Sequence, residues 1–366
     1  MISSEIFIGA VNKIAVCTKC WLLQSFRGNV GSEQASIKRK RMKLVAVDIG
    51  GTTARFVLAD SQRPVSNHLQ AVNRYDSQSF ADFGALLTAY VVDAGLQGSN
   101  IDLLCLALPG LINGQQARLT NLPWVLDADD IRRRFNVSRV LLVNDFQAAC
   151  EGLDSLQADD VISINAGHRQ VDRPRVITGV GTGLGMAWQL PDSSPQVTEG
   201  GHVDFAPVDE QQDRLLQYLR KSYPAHVSYE RILSGPGLVM LYQFVSTEAG
   251  MQQDSEISPA AVSSRAAQGD EIAIDAMRLF VRILAGFAGN LAMLFQPFAG
   301  LYIAGGIAPK IQKWLNSDEF IEYYSAKGRM SSLVLRVPVI LITNENVGLQ
   351  GALSYAYKSI HSQGKR

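Results

Sequence analysis

The chain has 366 residues, 47% hydrophobic and 19% charged, ample for a large buried core and for two domains. Lys19 and Gln24 break the best early apolar stretch, so nothing approaches the roughly 18 to 20 uninterrupted apolar residues of a membrane span. The net charge of zero hides a basic leader, with seven Lys or Arg against two acids in residues 1–42, and an acidic body of 27 basic and 32 acidic residues, which lacks the electrostatic footprint of a nucleic-acid partner.

Residues 1–42 show neither helical nor strand periodicity and read as a disordered leader ahead of the fold. A basic targeting segment is the alternative, but Lys13 and Lys19 interrupt its apolar stretch. The leader holds a lone Cys17-x-x-Cys20 pair without a partner motif, and Cys105 and Cys150 stand singly among apolar residues, so reduced thiols and a cytoplasmic location are expected.

Strong patterning begins at Met42. Leu44 to Asp48, Gly50-Gly51-Thr52 and Ala54 to Ala59 read as strand, tight turn and strand. A helix is expected over Ser79 to Ala94, a buried strand over Leu103 to Leu108, an amphipathic helix over Asp127 to Phe135, and a buried strand over Val140 to Val143 that ends at Asn144-Asp145. A second strand, glycine turn and strand follows at Val176 to Thr178, Gly179 to Gly183 and Leu184 to Leu190. Later come a long helix over Ile274 to Phe295, a strand at Gly300 to Ala304 that runs into Gly305-Gly306, and a strand at Val337 to Thr343 followed by a helix over Gly348 to Lys358, the two together read as a return to the first domain. Two related α/β halves are the expected plan.

The chemistry concentrates in these turns. Asp48 ends a strand just before two glycines whose amides can approach an anion, a pattern suited to phosphate and to magnesium held through water. An ordinary type I′ hairpin explains the same residues equally. The run Gly179-x-Gly181-Thr182-Gly183-x-Gly185 matches neither the dinucleotide fingerprint nor the P-loop, and four glycines between apolar strands strain an explanation from packing alone. Asn144-Asp145 lies at a strand's carboxyl end, where open α/β sheets bind ligands, though Asp145 may equally be read as a cap for a helix starting near Gln147. Glu199-Gly-Gly-His202 departs from the zinc spacing His-Glu-x-x-His, and its carboxylate and imidazole suit sugar hydroxyls better than a metal. Glu230, taken alone, reads as a helix-surface residue paired with Arg231.

In order, the strings Asp-Ile-Gly-Gly-Thr-Thr-Ala-Arg, Val-Asn-Asp-Phe, Gly-Val-Gly-Thr-Gly-Leu-Gly, Glu-Gly-Gly-His-Val-Asp-Phe-Ala-Pro, Ser-Tyr-Glu-Arg-Ile-Leu-Ser-Gly-Pro-Gly-Leu and Ile-Ala-Gly-Gly-Ile resemble the bacterial glucokinase family from about Lys43 to Lys358. The resemblance implies the duplicated ribonuclease-H-like α/β fold of actin and hexokinase, with a central cleft between a small domain (43–155 plus 343–366) and a large one (156–342). It implies phosphoryl transfer from ATP to the 6-hydroxyl of glucose, with Mg2+ as cofactor and a homodimeric assembly. By matching motif, Asp48, Gly50, Gly51, Thr52, Gly181, Thr182, Gly183, Gly305 and Gly306 face the nucleotide, with Asp48 on the metal side. Asn144, Asp145, Glu199, His202 and Glu230 hold the sugar, with Asp145 as general base. The chain departs from the best-known members at Thr53, where they have Asn, and at Leu122-Pro123, where they have His-Thr.

From the resemblance an Asp145 with an ordinary carboxylate pKa and a buried Glu199, His202 and Glu230 are expected, with discrimination against sugars that lack a hydroxyl. The rival readings are a kinase for another hexose and a non-catalytic sugar sensor. The absence of cysteine near His202 argues against the zinc-bearing repressor and sugar-kinase relatives, and residues 1–41 are too short and unpatterned for a helix-turn-helix.

Overall fold

A computed structural model describes residues 41–362 apart from 66, 67, 253 and 255; the leader read ahead of the fold, up to Lys40 and including the Cys17 and Cys20 pair, lies outside the described residues. From Lys43 the chain lays down β1 (Lys43–Ile49), β2 (Thr53–Asp60), β3 (Asn73–Asp76) and β4 (Leu103–Leu108). A small antiparallel sheet of β5 (Gly110–Asn113), β6 (Gln116–Leu119) and β7 (Val125–Asp127) follows, and then β8 (Val140–Asn144). The first main sheet has the order β3-β2-β1-β4-β8, antiparallel from β3 to β1 and parallel from β1 to β8. β4, Leu-Leu-Cys-Leu-Ala-Leu, is buried along its whole length, as a central strand covered on both faces must be.

The second main sheet contains β9 (Val161–Asn165), β10 (Arg175–Val180), β11 (Leu184–Gln189), β12 (Gln196–Thr198), β13 (Gly300–Ala304) and β14 (Val339–Ile342), in the order β12-β11-β10-β13-β14-β9. Leaving β9 aside, it repeats the pairing scheme of the first sheet, two antiparallel steps followed by two parallel ones. The helix Glu271–Phe295 packs its apolar stripe, Ala273, Met277, Phe280, Leu284, Phe287 and Leu291, into the core beneath this sheet. It starts where the Asp270 side chain accepts from the Ala273 amide and ends where Gln296 turns left-handed at φ 42°.

Two expectations shift for local reasons. The helix read from Ser79 starts at Phe83, because Asp82 accepts from the Ala85 amide at 2.8 Å and so caps it there, while Ser77–Ser79 form a separate turn capped by Asp76. Val337 to Thr343, read with the last helix as a return to the first domain, contributes β14 to the second sheet; only the helix Val347–Ser362 packs on the first.

That terminal helix buries Leu349, Ala352, Leu353 and Ala356 against Leu44, Ala46, Val57 and Ala59 of the first sheet. It also crosses the helix Asp145–Gly152 at backbone contact: a Cβ on Gly351 would lie 1.6 Å from the Ala148 carbonyl oxygen, and one on Gly152 would lie 2.3 Å from that of Val347. No helix among the described residues is long and apolar enough to cross a membrane. Gly351→Ala is expected to destabilise the protein. Forcing two backbones apart costs about 1–3 kcal/mol, more than the ~1 kcal/mol that Ala gains over Gly in a helix. A lower urea midpoint with an unchanged slope is the expected measurement.

Candidate active site

The last register pair of β1 and β2 is Ile49 with Ala54, so Gly50 to Thr53 form the bend, closed by the Gly50 amide donating to the Thr53 carbonyl at 2.9 Å. Ser77 Oγ donates to the Gly50 carbonyl at 3.0 Å and Gln78 Nε2 to the Gly51 carbonyl at 3.4 Å, so the bend's oxygens are turned toward its own support. Neither Gly50 nor Gly51 has a left-handed φ, which excludes the type I′ hairpin. Gly51 is glycine because Asn121 lies on it, with an ideal Cβ only 2.9 Å from Asn121 Cβ. Thr52 is exposed and, with Thr53, Arg74 and Gln78, lines a cavity of about 560 Å3.

Asp48 is the penultimate residue of β1, and the β1, β4 and β8 register (Asp48 with Ala107, Ala107 with Val143) sets it two strands from Asn144-Asp145, about 10 Å across the sheet. Asn144, not Asp145, caps the following helix: its Oδ1 accepts from the Phe146 amide at 2.9 Å and the Gln147 amide at 3.2 Å. Capping therefore occupies the Asn144 oxygen, while Asp145 begins the helix and its own Oδ1 accepts from the Phe146 amide at 2.9 Å. Its carboxyl is not an ordinary one. Burial first, then the facing charge of Asp48 and a smaller effect of Glu199, push its pKa up to about 7 against the Phe146 amide that stabilises the anion. Burial also raises Asp48, opposed by Arg55, whose guanidinium reaches it at 3.4 Å.

Phe146 sends its ring across the seam to the second sheet. Gly179 and Gly185 are paired in register on β10 and β11, and Cβ atoms there would meet the ring at 2.6 Å and 2.1 Å. The four glycines of this run therefore divide. Gly179 and Gly185 make room for Phe146, and Gly183 makes room for Glu230, whose Oε2 would lie 2.6 Å from a Cβ. Gly181 has nothing within 4 Å and Thr182 is exposed, so this bend presents an open face. Packing, which the sequence makes a strained explanation, accounts for three of the four.

The sugar candidates are keyed to the same hairpin. A Cβ on Gly200 would meet Met186 Sδ at 2.1 Å, and one on Gly201 the Leu184 carbonyl oxygen at 1.9 Å, so the Glu199-Gly-Gly-His202 turn lies flat on β11. Glu230 is held from below by buried Tyr229, which packs on Phe205 and Phe287 and accepts from Asn290 Nδ2 at 3.1 Å. Its carboxylate accepts from the Leu184 amide at 2.9 Å and lies 3.6 Å from His202 Nε2, which is 3.9 Å from Glu199. The pairing with Arg231 read from sequence is not formed; Arg231 sits over the Tyr223 ring. The expected burial is not met either: the Glu199, His202 and Glu230 side chains are 78%, 55% and 31% exposed.

Gly305 follows β13 with φ 92°, where a Cβ would lie 2.3 Å from the Val180 carbonyl, and Gly306 beside it faces open space. Cys105 and Cys150 are buried free thiols pushed up to about 12 by burial, and so unreactive. A cavity of about 590 Å3 lined by Arg169, Arg173, Arg175 and Lys358 lies apart from every motif residue. Asn121 against Gly51, Phe146 against Gly179 and Gly185, and Gly348, whose Cβ would lie 3.0 Å from Asp48 Oδ2, adjoin the candidate residues, and of the three only Phe146 stands in a motif. Only the approach of another segment shows these contacts.

A carboxyl that binds its proton more tightly in the folded chain, near pH 7 against about 3.9 unfolded, stabilises the fold below pH 4 and loses that contribution as pH rises through 7. Unfolding measured from pH 4 to 8 should therefore show Asp145→Asn gaining on the wild type up to about pH 7 and staying parallel above it. A constant difference across the range would contradict the raised affinity.

A glucokinase family profile matches residues 44–359, nearly the whole described chain. A glucokinase of Nostoc sp. is 35% identical over 333 residues, 84% of this chain and 97% of that protein; one of Photorhabdus laumondii is 33% identical over 315 residues, 85% and 96%. The crystal structure of a glucokinase from an Antarctic psychrotroph superposes with TM-score 0.73 at 31% identity, covering 86% of this chain and 99% of its own. A ROK family glucokinase from Streptomyces griseus, solved with glucose and AMPPNP, shares the fold at TM-score 0.59 and 20% identity, covering 85% and 97%. With the match running from β1 to the terminal helix, the chain belongs to the glucokinase family.

Proposed function

We propose that the chain transfers the γ-phosphoryl group of ATP to the 6-hydroxyl of glucose, with Asp145 as general base. The observation that carries this reading is the placement of one carboxyl, Asp145, under the charge of Asp48 on the phosphate side and of Glu199 on the sugar side. The activity borne by the related glucokinases supports it, as does the ATP analogue bound in the Streptomyces griseus relative.

Phosphoryl transfer asks the protein for positioning and charge stabilisation more than for covalent work. Asp145 accepts the hydroxyl proton as the oxygen approaches phosphorus, and an affinity near pH 7 is what a base working at neutral pH needs. The exposed Thr52 and Thr182 and the open face of Gly181 meet phosphate oxygens, and Gly305-Gly306 lies by the adenosine. Asp48 fits a magnesium site: an enclosed carboxylate that faces a second one and is only loosely paired with Arg55 is the hard oxygen donor this ion takes through water. When bound, magnesium neutralises charge on the β- and γ-phosphates.

The equal pairing schemes of the two sheets fit the duplicated ribonuclease-H-like plan, with lobes at 43–155 plus 343–366 and at 156–342. Discrimination by unpaired polar groups requires those groups to be dry. Because Glu199 and His202 are open to water here, strong selectivity for glucose requires the lobes to close over the sugar. Scattering should then report a smaller radius of gyration with glucose than without it; equal values would count against closure.

The central test is a coupled assay of glucose 6-phosphate formation. Asp145→Asn should lower kcat by roughly 10²- to 10⁴-fold with little change in ATP affinity. Near-normal turnover would remove Asp145 from its role, and a panel of hexoses in the same assay separates glucose from other acceptors.

A further inference from the structure

We infer that Phe146 is a positioning residue for the reaction, its ring seated in a notch formed by Gly179 and Gly185 and fixing where Asp145 stands relative to the Gly181-Thr182-Gly183 bend. The inference rests on Asp145 being the base and adds the part that aims it. Three observations support it. Phe146 adjoins Asp145 at the first turn of the helix Asp145–Gly152, so a shift of the ring carries the carboxyl with it. The two glycines are cross-strand partners, and neither has a left-handed φ, so no backbone conformation demands glycine at either place; the ring does, at 2.6 Å and 2.1 Å from the missing Cβ positions. The notch lies on the strands that enter and leave the open bend, and the same strands carry the sugar turn on Leu184 and Met186, so the ring ties the base to both ligand sides at once.

Only partly buried, Phe146 packs at the edge of a small cluster with Ala149, Cys150, Leu153, Ile177 and Ala187, separate from the large cores of the two sheets. Removing the ring should therefore let the helix start tilt while leaving the main cores intact. Misplacement by about 1 Å at a reacting group is worth on the order of 10²-fold in rate.

The experiment compares Phe146→Ala, Gly185→Ala, their double variant and Asp145→Asn in full-length protein, reading kcat, KM for glucose and ATP, the pH profile of kcat/KM and the urea midpoint. Phe146→Ala should lower kcat about 10²-fold with little change in KM, and should move the acid limb of the profile as Asp145 changes its distance from Asp48 and Glu199. Gly185→Ala, which fills the notch, should do the same alone and add nothing in the Phe146→Ala background, the signature of two residues sharing one contact. A folded Phe146→Ala enzyme with wild-type kcat, an unmoved acid limb, or additive effects of the two changes overturns the inference while leaving Asp145 in place if Asp145→Asn is inactive. An active Asp145→Asn overturns the base and its positioning together. Should Phe146→Ala not fold, Phe146→Leu replaces it. A smaller loss of kcat in the same direction supports the role, and full turnover refutes it.

Discussion

The site depends on a hairpin stripped of side chains. Along β10, the bend and β11, the missing Cβ atoms at 179, 183 and 185 admit the Phe146 ring and the Glu230 carboxylate, and the missing Cβ atoms at 200 and 201 let the sugar turn lie on the same strand. Three segments far apart in sequence are thereby referenced to one rigid element. Close-packed interiors transmit displacement, so the Phe146 ring, the Glu230 carboxylate and the His202 turn held this way keep their spacing. Glycine in a strand interior weakens the strand. The parallel neighbour β13 and the long helix beneath supply the support that the hairpin itself lacks.

The second constraint is electrostatic. Asp48 and Asp145 stand at the carboxyl ends of parallel strands in one sheet, where the register brings two acids toward the same crevice. Burial and mutual repulsion disfavour ionising both, and Arg55 at 3.4 Å offsets this only in part. The folded chain therefore holds an unfavourable arrangement that a cation and a sugar hydroxyl would relieve.

The open sugar trio completes the picture. Glu199 and His202 have most of their surface in water, while Glu230 is anchored to the Leu184 amide and is the least exposed of the three. Glu230 is thus tied to the hairpin, while Glu199 and His202 stand mostly in solvent.

Much of this was legible along the chain. The apolar runs of β1, β4, β8, β10 and β13 are distinct enough to place strands within a residue or two, and the period of the long helix marks it from Ile274 to its end at Phe295, though the helix starts one turn earlier at Glu271, capped by Asp270. The acids and turns of the site were legible by type and order, because catalytic chemistry demands particular groups at strand ends. The purpose of the glycines was not. Gly-Gly at 50–51 reads equally as a type I′ turn and Gly179 to Gly185 as a run that packing explains only under strain, yet none of these residues uses a left-handed backbone, and most are glycine because a distant side chain occupies the space. Nor could the chain announce that Asn144 takes the cap, that Asp145 holds its proton up to about pH 7, or that the sugar trio stands open. Sequence by itself determined the elements and the kinds of chemical group, since these follow from local pattern. Tertiary structure alone decided which Cβ atoms must be absent, which carboxyl feels another's charge and how much water reaches it, because each of these is set by neighbours remote in sequence.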